Sequence, residues 1–367
     1  MRWQWLQFAS CPSGKDCLVN KNRFYSMFQA FIAAFLFGAS APIAKLLLGS
    51  VEPIPMASFL YLGSGFGLLI YKLVNKHSGF EAKIDRTDVK WLLGAILAGG
   101  VIAPIVLMFS LRNTPASTAS LLLNFESVAT TLIAVIIFKE AIGKHIWTAI
   151  ILMTSASVLL TLDFKGEWGF SFGALGIVLA CVLWGIDNNF TRNISTKDPL
   201  ITVTIKGIVA GSFSLVISFI TNSTLPGIKE ILVIMLLGFF CYGLSIVLFI
   251  FAMRELGASR TSAFFSTAPF IGVLLSFVIF RELPNIMYYI AFPIMIIGAI
   301  IILLEEHSHT HLHEFIEHNH RHRHDDLHHG HNHIDGIESI GHSHLHTHTT
   351  TEHSHKHTPD THHRHEH

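Results

Sequence analysis

One carboxylate stands inside a long apolar segment of this chain. Glu126 lies ten residues into residues 116–138, which is ~15 Å along a helix that rises about 1.5 Å per residue. If that segment crosses a membrane, the side chain cannot reach either surface, and an ionised carboxylate is costly in hydrocarbon. Glu126 is therefore a candidate proton-coupling group or a counter-charge for a cationic solute. The alternative is a neutral carboxyl group that hydrogen-bonds to a neighbouring serine, threonine or asparagine.

A lysine occupies a comparable position in another apolar segment. Lys206 lies six residues into residues 200–220, ~9 Å from the end of a helix. It could pair with Glu126 or bind a carboxylate group of a solute. Its long side chain could equally snorkel to the membrane surface, so both interpretations stay open.

A third polar group lies near the end of the segment 170–190, where Asp187, Asn188 and Asn189 are consecutive. They fit either a gate over a solute pathway or a helix end in the headgroup layer. The sequence shows no nucleotide-binding loop, nucleophile–base pair or pair of catalytic carboxylates. We therefore expect neither an enzyme nor a nucleic-acid-binding protein.

Histidine dominates the C-terminal tail, residues 305–367, which holds 23 of the 25 histidines. The candidate metal ligands recur at every second position within each set: His307, His309, His311, His313, His318, His320, His322, His324, His342, His344, His346 and His348. Alternation places imidazoles on one side of an extended chain, and imidazole suits zinc, nickel and copper. The tail is polar, with 4 Lys+Arg against 11 Asp+Glu, so we expect disorder in the absence of metal. We expect no required cofactor, with zinc, nickel or copper bound only by the tail.

The rest of the chain is strongly apolar. Apolar residues make up 51% of the sequence and charged residues 14%, against about a quarter charged in soluble domains. Ten segments approach the ~20 residues that cross a hydrocarbon core: 27–48, 54–74, 91–111, 116–138, 144–163, 170–190, 200–220, 230–251, 260–280 and 286–304. The sequence therefore predicts an all-α integral membrane protein of ten transmembrane helices. A soluble helical protein would need charged helix faces, whereas the charge here lies almost wholly between segments.

The apolar part contains the same pattern twice. Residues 111–140 align with residues 253–282 at a constant offset of 142 positions. Within that alignment Pro269 meets Ser127, the residue after Glu126. Pro269 frees a backbone carbonyl and is a further candidate for a solute site. Five helices per copy is an odd number, so the copies must cross in opposite senses, as in transporters built from inverted repeats.

Composition divides the chain into a leader (1–26), a first repeat (27–163), a second repeat (170–304) and the tail (305–367). Basic residues favour cytoplasmic loops, and the four loops on one side hold 11 of them. This distribution predicts that both termini are cytoplasmic, and we expect the protein in the bacterial inner membrane.

Together these features resemble the EamA type of the drug/metabolite transporter superfamily. The matching pieces, besides the small-residue opening of the fourth and ninth segments, are FLFGASAPIAK at 35–45, CVLWGIDNNF at 181–190, FKE at 138–140 and FRE at 280–282. The resemblance covers about residues 27–304. It implies a secondary transporter that exports a small polar metabolite or drug-like solute. Family members often carry a proline midway along the fourth and ninth helices; Pro269 fits this pattern, and Ser127 departs from it.

Three functions stay open. The first is transport of a small solute, with metal ions bound at the tail. The second is transport of a divalent metal such as zinc, nickel or cobalt, or of a metal complex. The third is a membrane-anchored metal buffer that moves nothing. The apolar segments lack a cluster of histidine and aspartate, because His77 and His145 lie in or beside loops, so the sequence favours the first.

Overall fold

The computed structural model describes residues 14–74, 84–139, 143–163, 169–194, 197–256, 261, 264–281, 286–304, 308–313, 316–322, 342–348 and 351–356. Within these ranges we number ten helices in chain order. They are α1 (Gly14–Leu47), α2 (Pro53–Val74), α3 (Val89–Ala95 and Ala103–Arg112), α4 (Ala116–Leu122 and Phe125–Phe138), α5 (Lys144–Thr161), α6 (Phe172–Arg192), α7 (Pro199–Ile220), α8 (Ile228–Leu237 and Ser245–Leu256), α9 (Ala268–Phe280) and α10 (Ile286–Leu304).

Eight of these helices, α1 to α8, are long and apolar enough to cross a membrane, whereas α9 and α10 are shorter apolar helices over the residues described. The prediction of an all-helical membrane body is therefore confirmed. Ten crossings remain a prediction for the last two helices. The first helix begins at Gly14, well before the expected start at residue 27, because the polar residues in front of the apolar segment continue the same helix.

The duplication is visible in irregular backbone as well as in sequence. The two halves of α3 are joined by a π-helical segment, Ile96–Ile102, and the halves of α8 by another, Gly238–Leu244. These segments are separated by the same 142 positions as the sequence repeat. So are Lys139 and Arg281, which end α4 and α9 with left-handed φ angles of 55° and 53°. Each repeat therefore reproduces the other's helix irregularities at matching positions.

Helices of one repeat pack against helices of the other. The first helix of one repeat, α1, packs on α8 and α9 of the other. Its counterpart α6 packs in the same way on α3 and α4. The second helices of the two repeats, α2 and α7, pack on each other, as do the fifth helices, α5 and α10. The opposite membrane orientation of the two repeats stays a prediction.

Glycines allow α2 and α7 to approach until their backbones touch. A β-carbon added to Gly207 would lie 2.6 Å from the backbone nitrogen of Gly65, and one added to Gly211 would lie 2.6 Å from that of Leu62. Small residues at such crossings are typical of membrane helices, where close packing replaces the hydrophobic effect as the driving force. The crossing of α2 and α7 is therefore one of the close contacts between the two repeats.

Strands occur outside the helices. A short antiparallel pair, β1 (Leu162–Asp163) and β2 (Gly169–Phe170), lies between α5 and α6. The tail contains β3 (Ser308–His313), β4 (Ile316–His322), β5 (His342–His348) and β6 (Thr351–Lys356). β3 pairs with β6 and β4 with β5, both antiparallel. We predicted a disordered tail, but in these stretches the tail is extended and paired. Its alternating sequence has the period of a strand, which explains the difference. His307 and His324 lie outside the described residues.

Candidate functional site

An ion pair joins α6 to α7 inside the bundle. The ammonium of Lys206 pairs with the Oδ2 of Asp187, and the side chains are 18% and 6% exposed. The other carboxylate oxygen of Asp187 accepts a hydrogen bond of 3.1 Å from the hydroxyl of Thr191, one turn further along α6. A buried charge needs such partners. Lys206 therefore does not snorkel to the membrane surface, and it does not pair with Glu126.

Glu126 lies at the restart of a broken helix. α4 is interrupted at Leu123 and Asn124, and Glu126 stands in the first turn of the second half. A helix N-terminus favours a carboxylate. The side-chain nitrogen of Asn188 donates to the Oε1 of Glu126 at 2.8 Å and lies 3.1 Å from the hydroxyl oxygen of Thr130. The described hydrogen-bond partner of the Glu126 carboxyl group is therefore uncharged. This fits the alternative of a neutral carboxyl group that hydrogen-bonds to a neighbouring asparagine.

The neighbouring Asn189 ties the same two helices together. Its side-chain nitrogen donates to the backbone oxygen of Thr130 at 3.0 Å, across from α6 to α4. It also donates to the backbone oxygen of Gly185 within its own helix at 2.8 Å. Asn189 is buried, whereas Asn188 is exposed. The three consecutive polar residues therefore have three different surroundings, and Asn188 is the one that reaches Glu126.

The π-helical segment of α3 completes the group. The carbonyl oxygen of Gly99 accepts two hydrogen bonds, from the hydroxyl of Tyr61 at 2.7 Å and from the indole nitrogen of Trp184 at 3.0 Å. A β-carbon on Gly99 would overlap the carboxylate of Asp187. Segments of π-helix are frequent at functional sites. Gly99 thus joins α2, α3 and α6 beside the ion pair.

Aromatic side chains surround this polar group. The rings of Tyr61 and Tyr242 are 5.9 Å apart, and the ring of Phe37 is 6.3 Å from that of Tyr242. Both tyrosines lie within electrostatic range of Glu126. Tyr61, Tyr242 and Phe37 come from α2, α8 and α1, so both repeats contribute to the aromatic wall.

The charges do not balance. Glu126 lies within electrostatic range of both Asp187 and Lys206. These three groups comprise two carboxylates and one ammonium, so the cluster carries one net negative charge whenever Glu126 is ionised. Asn188, which binds Glu126, is exposed within a membrane-length helix. An exposed polar group at that position is suited to a water-accessible cavity or to the headgroup layer, and not to hydrocarbon.

Ion pairs link the two repeats at one end of the bundle. This is the end where α2 and α6 finish and where α3 and α7 begin. Lys197 pairs with Asp85 at 2.8 Å and with Asp88 at 3.2 Å. Lys72 lies 3.7 Å from the carboxylate of Asp198, which also caps α7 by accepting the backbone N–H group of Leu200 at 2.9 Å.

The contacts of Lys197 favour its charged form. Partial burial lowers the pKa of its ammonium, but hydrogen bonds and attraction from Asp85 and Asp88 outweigh this effect and raise the pKa above its usual value. A raised pKa means that the stabilisation is complete below the unfolded value of ~10.4 and is lost only as the pH rises through the folded value. Just inside these pairs, the rings of Trp91 and Phe190 are 5.7 Å apart and join α3 to α6.

Pro269 lies apart from the polar cluster in the described contacts. It stands in the first turn of α9 and is half-buried. That turn packs against α1, because a β-carbon on Gly38 would overlap the backbone oxygen of Ala268. In the described part of the helical body, no group of three or more histidine, cysteine, aspartate and glutamate residues could hold a metal ion.

The chain resembles known transporters along most of its length. The EamA-like transporter family matches residues 24–162 and 171–304. An uncharacterized transporter of Methanothermobacter thermautotrophicus is 28% identical over 317 residues, covering 81% of this chain and 90% of that protein. The uncharacterized transporter YyaM of Bacillus subtilis is 22% identical over 283 residues, covering 73% and 87%. A solved crystal structure with 18% identity has a TM-score of 0.57 and covers 76% of this chain and 98% of its own, a likeness of fold alone.

Proposed function

The chain belongs to the EamA-like transporter family, and we propose that it moves a small polar solute across the membrane by exchange with protons at Glu126. The hydrogen bond between Asn188 and Glu126, beside the Lys206–Asp187 ion pair, carries this proposal. An isolated carboxylate between membrane helices is costly unless protonation or a solute compensates its charge.

The position of the cluster supports a transport role. Glu126 belongs to the first repeat, whereas Asp187, Asn188 and Lys206 belong to the second. Secondary transporters bind solute between repeats, near interrupted helices, and move by rocking one repeat against the other. α4 is interrupted directly before Glu126, so Glu126 lies beside an interrupted helix. Rocking of the repeats would separate or tighten the Asn188–Glu126 contact, which couples the charge of Glu126 to the motion.

Each group has a distinct role in the proposed cycle. A protonated Glu126 retains its carbonyl oxygen as an acceptor for Asn188, so the neutral form fits the same geometry. Release of the proton leaves one uncompensated negative charge, which attracts the cationic part of a solute. Lys206 neutralises Asp187 and so leaves Glu126 as the unpaired charge of the cluster. The aromatic wall supplies an apolar surface for the remainder of the molecule.

Proton coupling is tested most directly in proteoliposomes that contain a trapped pH-sensitive dye. Solutes are first identified by comparing the metabolites retained by cells with and without the protein. A solute gradient should then drive proton movement in the wild type and in Glu230→Gln, whose carboxylate lies in the first turn of α8. Glu126→Gln should abolish solute-dependent proton movement. Undiminished proton movement in Glu126→Gln would rule out the coupling role.

The same vesicles, loaded with zinc in place of the solute, test metal transport.

A further inference from the structure

The two strand pairs of the tail share one register. In the outer pair His309 lies opposite His355, and in the inner pair His318 lies opposite His346. Moving inward by nine residues on each strand leads from the first of these partnerships to the second. The registers of both pairs are therefore those of a single antiparallel hairpin.

This register places histidine opposite histidine repeatedly. The described partners are His309–His355, His311–His353, His318–His346, His320–His344 and His322–His342. Along each strand the alternation of histidine shifts by one position, between His313 and His318 on one strand and between His348 and His353 on the other. Because the shift occurs at matching points, it preserves the partnerships. If the alternation shifted on one strand only, histidine would no longer lie opposite histidine on one side of the shift.

We propose that the tail is a zinc-binding hairpin whose units are pairs of histidines from opposite strands, two pairs on one face and three on the other. Residues directly opposite in an antiparallel pair have β-carbons about 4.5–5.5 Å apart. Two successive pairs on one face offer four imidazoles, the number that a tetrahedral zinc ion accepts. The odd spacing across the shift assigns the two sets to opposite faces of a continuous hairpin. This site is independent of Glu126 and of the proposed transport reaction.

Matched double substitutions test the pairing in the full-length protein. His322→Ala with His342→Ala removes one end pair and leaves two successive pairs on that face, whereas His322→Ala with His344→Ala breaks two pairs and leaves one. Both variants lose one histidine from each strand. Zinc bound at that face, measured by equilibrium dialysis of the purified protein in detergent, should stay near the wild-type level in the first variant, which keeps two successive pairs, and should be largely lost in the second. Equal losses in the two variants would mean that histidine number alone decides binding, and the proposal would be wrong.

The register itself is tested with pairs of spin labels that use the same four positions in two combinations. Thr310 lies opposite Ser354, and Arg321 lies opposite Ser343. With zinc bound, labels at each of these pairs should be close together. In the exchanged combinations, 310 with 343 and 321 with 354, the positions are eleven residues out of register, which corresponds to about 35 Å along a strand. Indistinguishable distances in the matched and exchanged combinations would overturn the hairpin even if zinc is bound.

Discussion

The ammonium of Lys206 and the carboxylate of Asp187 form an ion pair between α7 and α6, where both side chains are largely buried. This relationship decides the character of Glu126, because the nearest basic group is already engaged. The described partners of Glu126 are the amide of Asn188 and the helix backbone around it. A carboxylate in these surroundings can change its protonation without breaking an ion pair, which is the property that coupling requires.

Breaking the ion pair from one side should destabilise the protein. Lys206→Met leaves Asp187 buried without its cation, a change that costs roughly 3–5 kcal/mol. Adding Asp187→Asn removes the uncompensated charge and should recover most of that loss. Thermal unfolding of the purified proteins in detergent gives the comparison. A double variant that unfolds as early as Lys206→Met would show that the charge of Asp187 is not the cause.

Gly99 should tolerate no side chain. A methyl group there would overlap the carboxylate of Asp187, and forced overpacking typically costs about 1–3 kcal/mol. Gly99→Ala should therefore lower the unfolding temperature and reduce transport, because it displaces one member of the ion pair. Gly49→Ala is the matched control, since its added carbon would meet only a backbone oxygen, at 3.3 Å. Equal unfolding temperatures for the two variants would contradict this account.

The sequence identified the chemical groups of the site but not their partners. Glu126 and the polar stretch at 187–189 stand out because charge is costly in an apolar segment. Which carboxylate pairs with Lys206 depends on how α4, α6 and α7 rotate against one another, and composition does not fix this. Sequence reasoning missed Tyr61 and Trp184, because aromatic residues are ordinary in membrane helices.

The irregular backbone was also hidden from the sequence. A π-helical segment inserts an extra residue into a helical turn and so rotates the side chains that follow. The sequence around Gly99 is apolar on all sides of the helix, so this rotation gave no periodic signal. The only cue in the sequence was the adjacent pair Gly99 and Gly100, and adjacent glycines occur in helices for many other reasons. The helical character of the membrane body was easier to predict, because it follows from the length of apolar segments. The start of α1 was harder to predict, because polar residues also form helices outside a membrane.

The cap of α7 should be separable from the ion pair between Asp198 and Lys72. Asp198 accepts the backbone N–H group of Leu200 and also lies near Lys72. Asp198→Ala removes both interactions and should cost about 1 kcal/mol, mostly through the lost cap. Asp198→Ser retains a capping oxygen without the charge and should unfold close to the wild type, because partly exposed pairs contribute little. A serine variant as unstable as the alanine variant would instead identify the Lys72 pair as the main contribution.

Zinc binding by the tail should depend on pH in the range of histidine titration. Imidazole must be neutral to bind metal, and its usual pKa is ~6.5. Zinc should therefore be retained at pH 8 and released as the pH falls below about 6, since protons compete for the same nitrogen atoms. Dialysis against zinc at a series of pH values measures this. Retention that is unchanged at acidic pH would point to carboxylate ligands in place of histidine.

The tail should be separable from the membrane body. Its histidine-bearing strands follow the end of α10 at Leu304, and the family match also ends at residue 304. Deleting residues 307–367 should leave a protein that inserts, purifies as a monodisperse species and still moves its solute, because Glu126, Asp187 and Lys206 are all retained. The same deletion should abolish retention on immobilised nickel, since it removes 23 of the 25 histidines. A correctly inserted truncation that fails to transport at saturating solute would place the tail within the transport pathway, and metal would then replace the small solute as the leading candidate cargo.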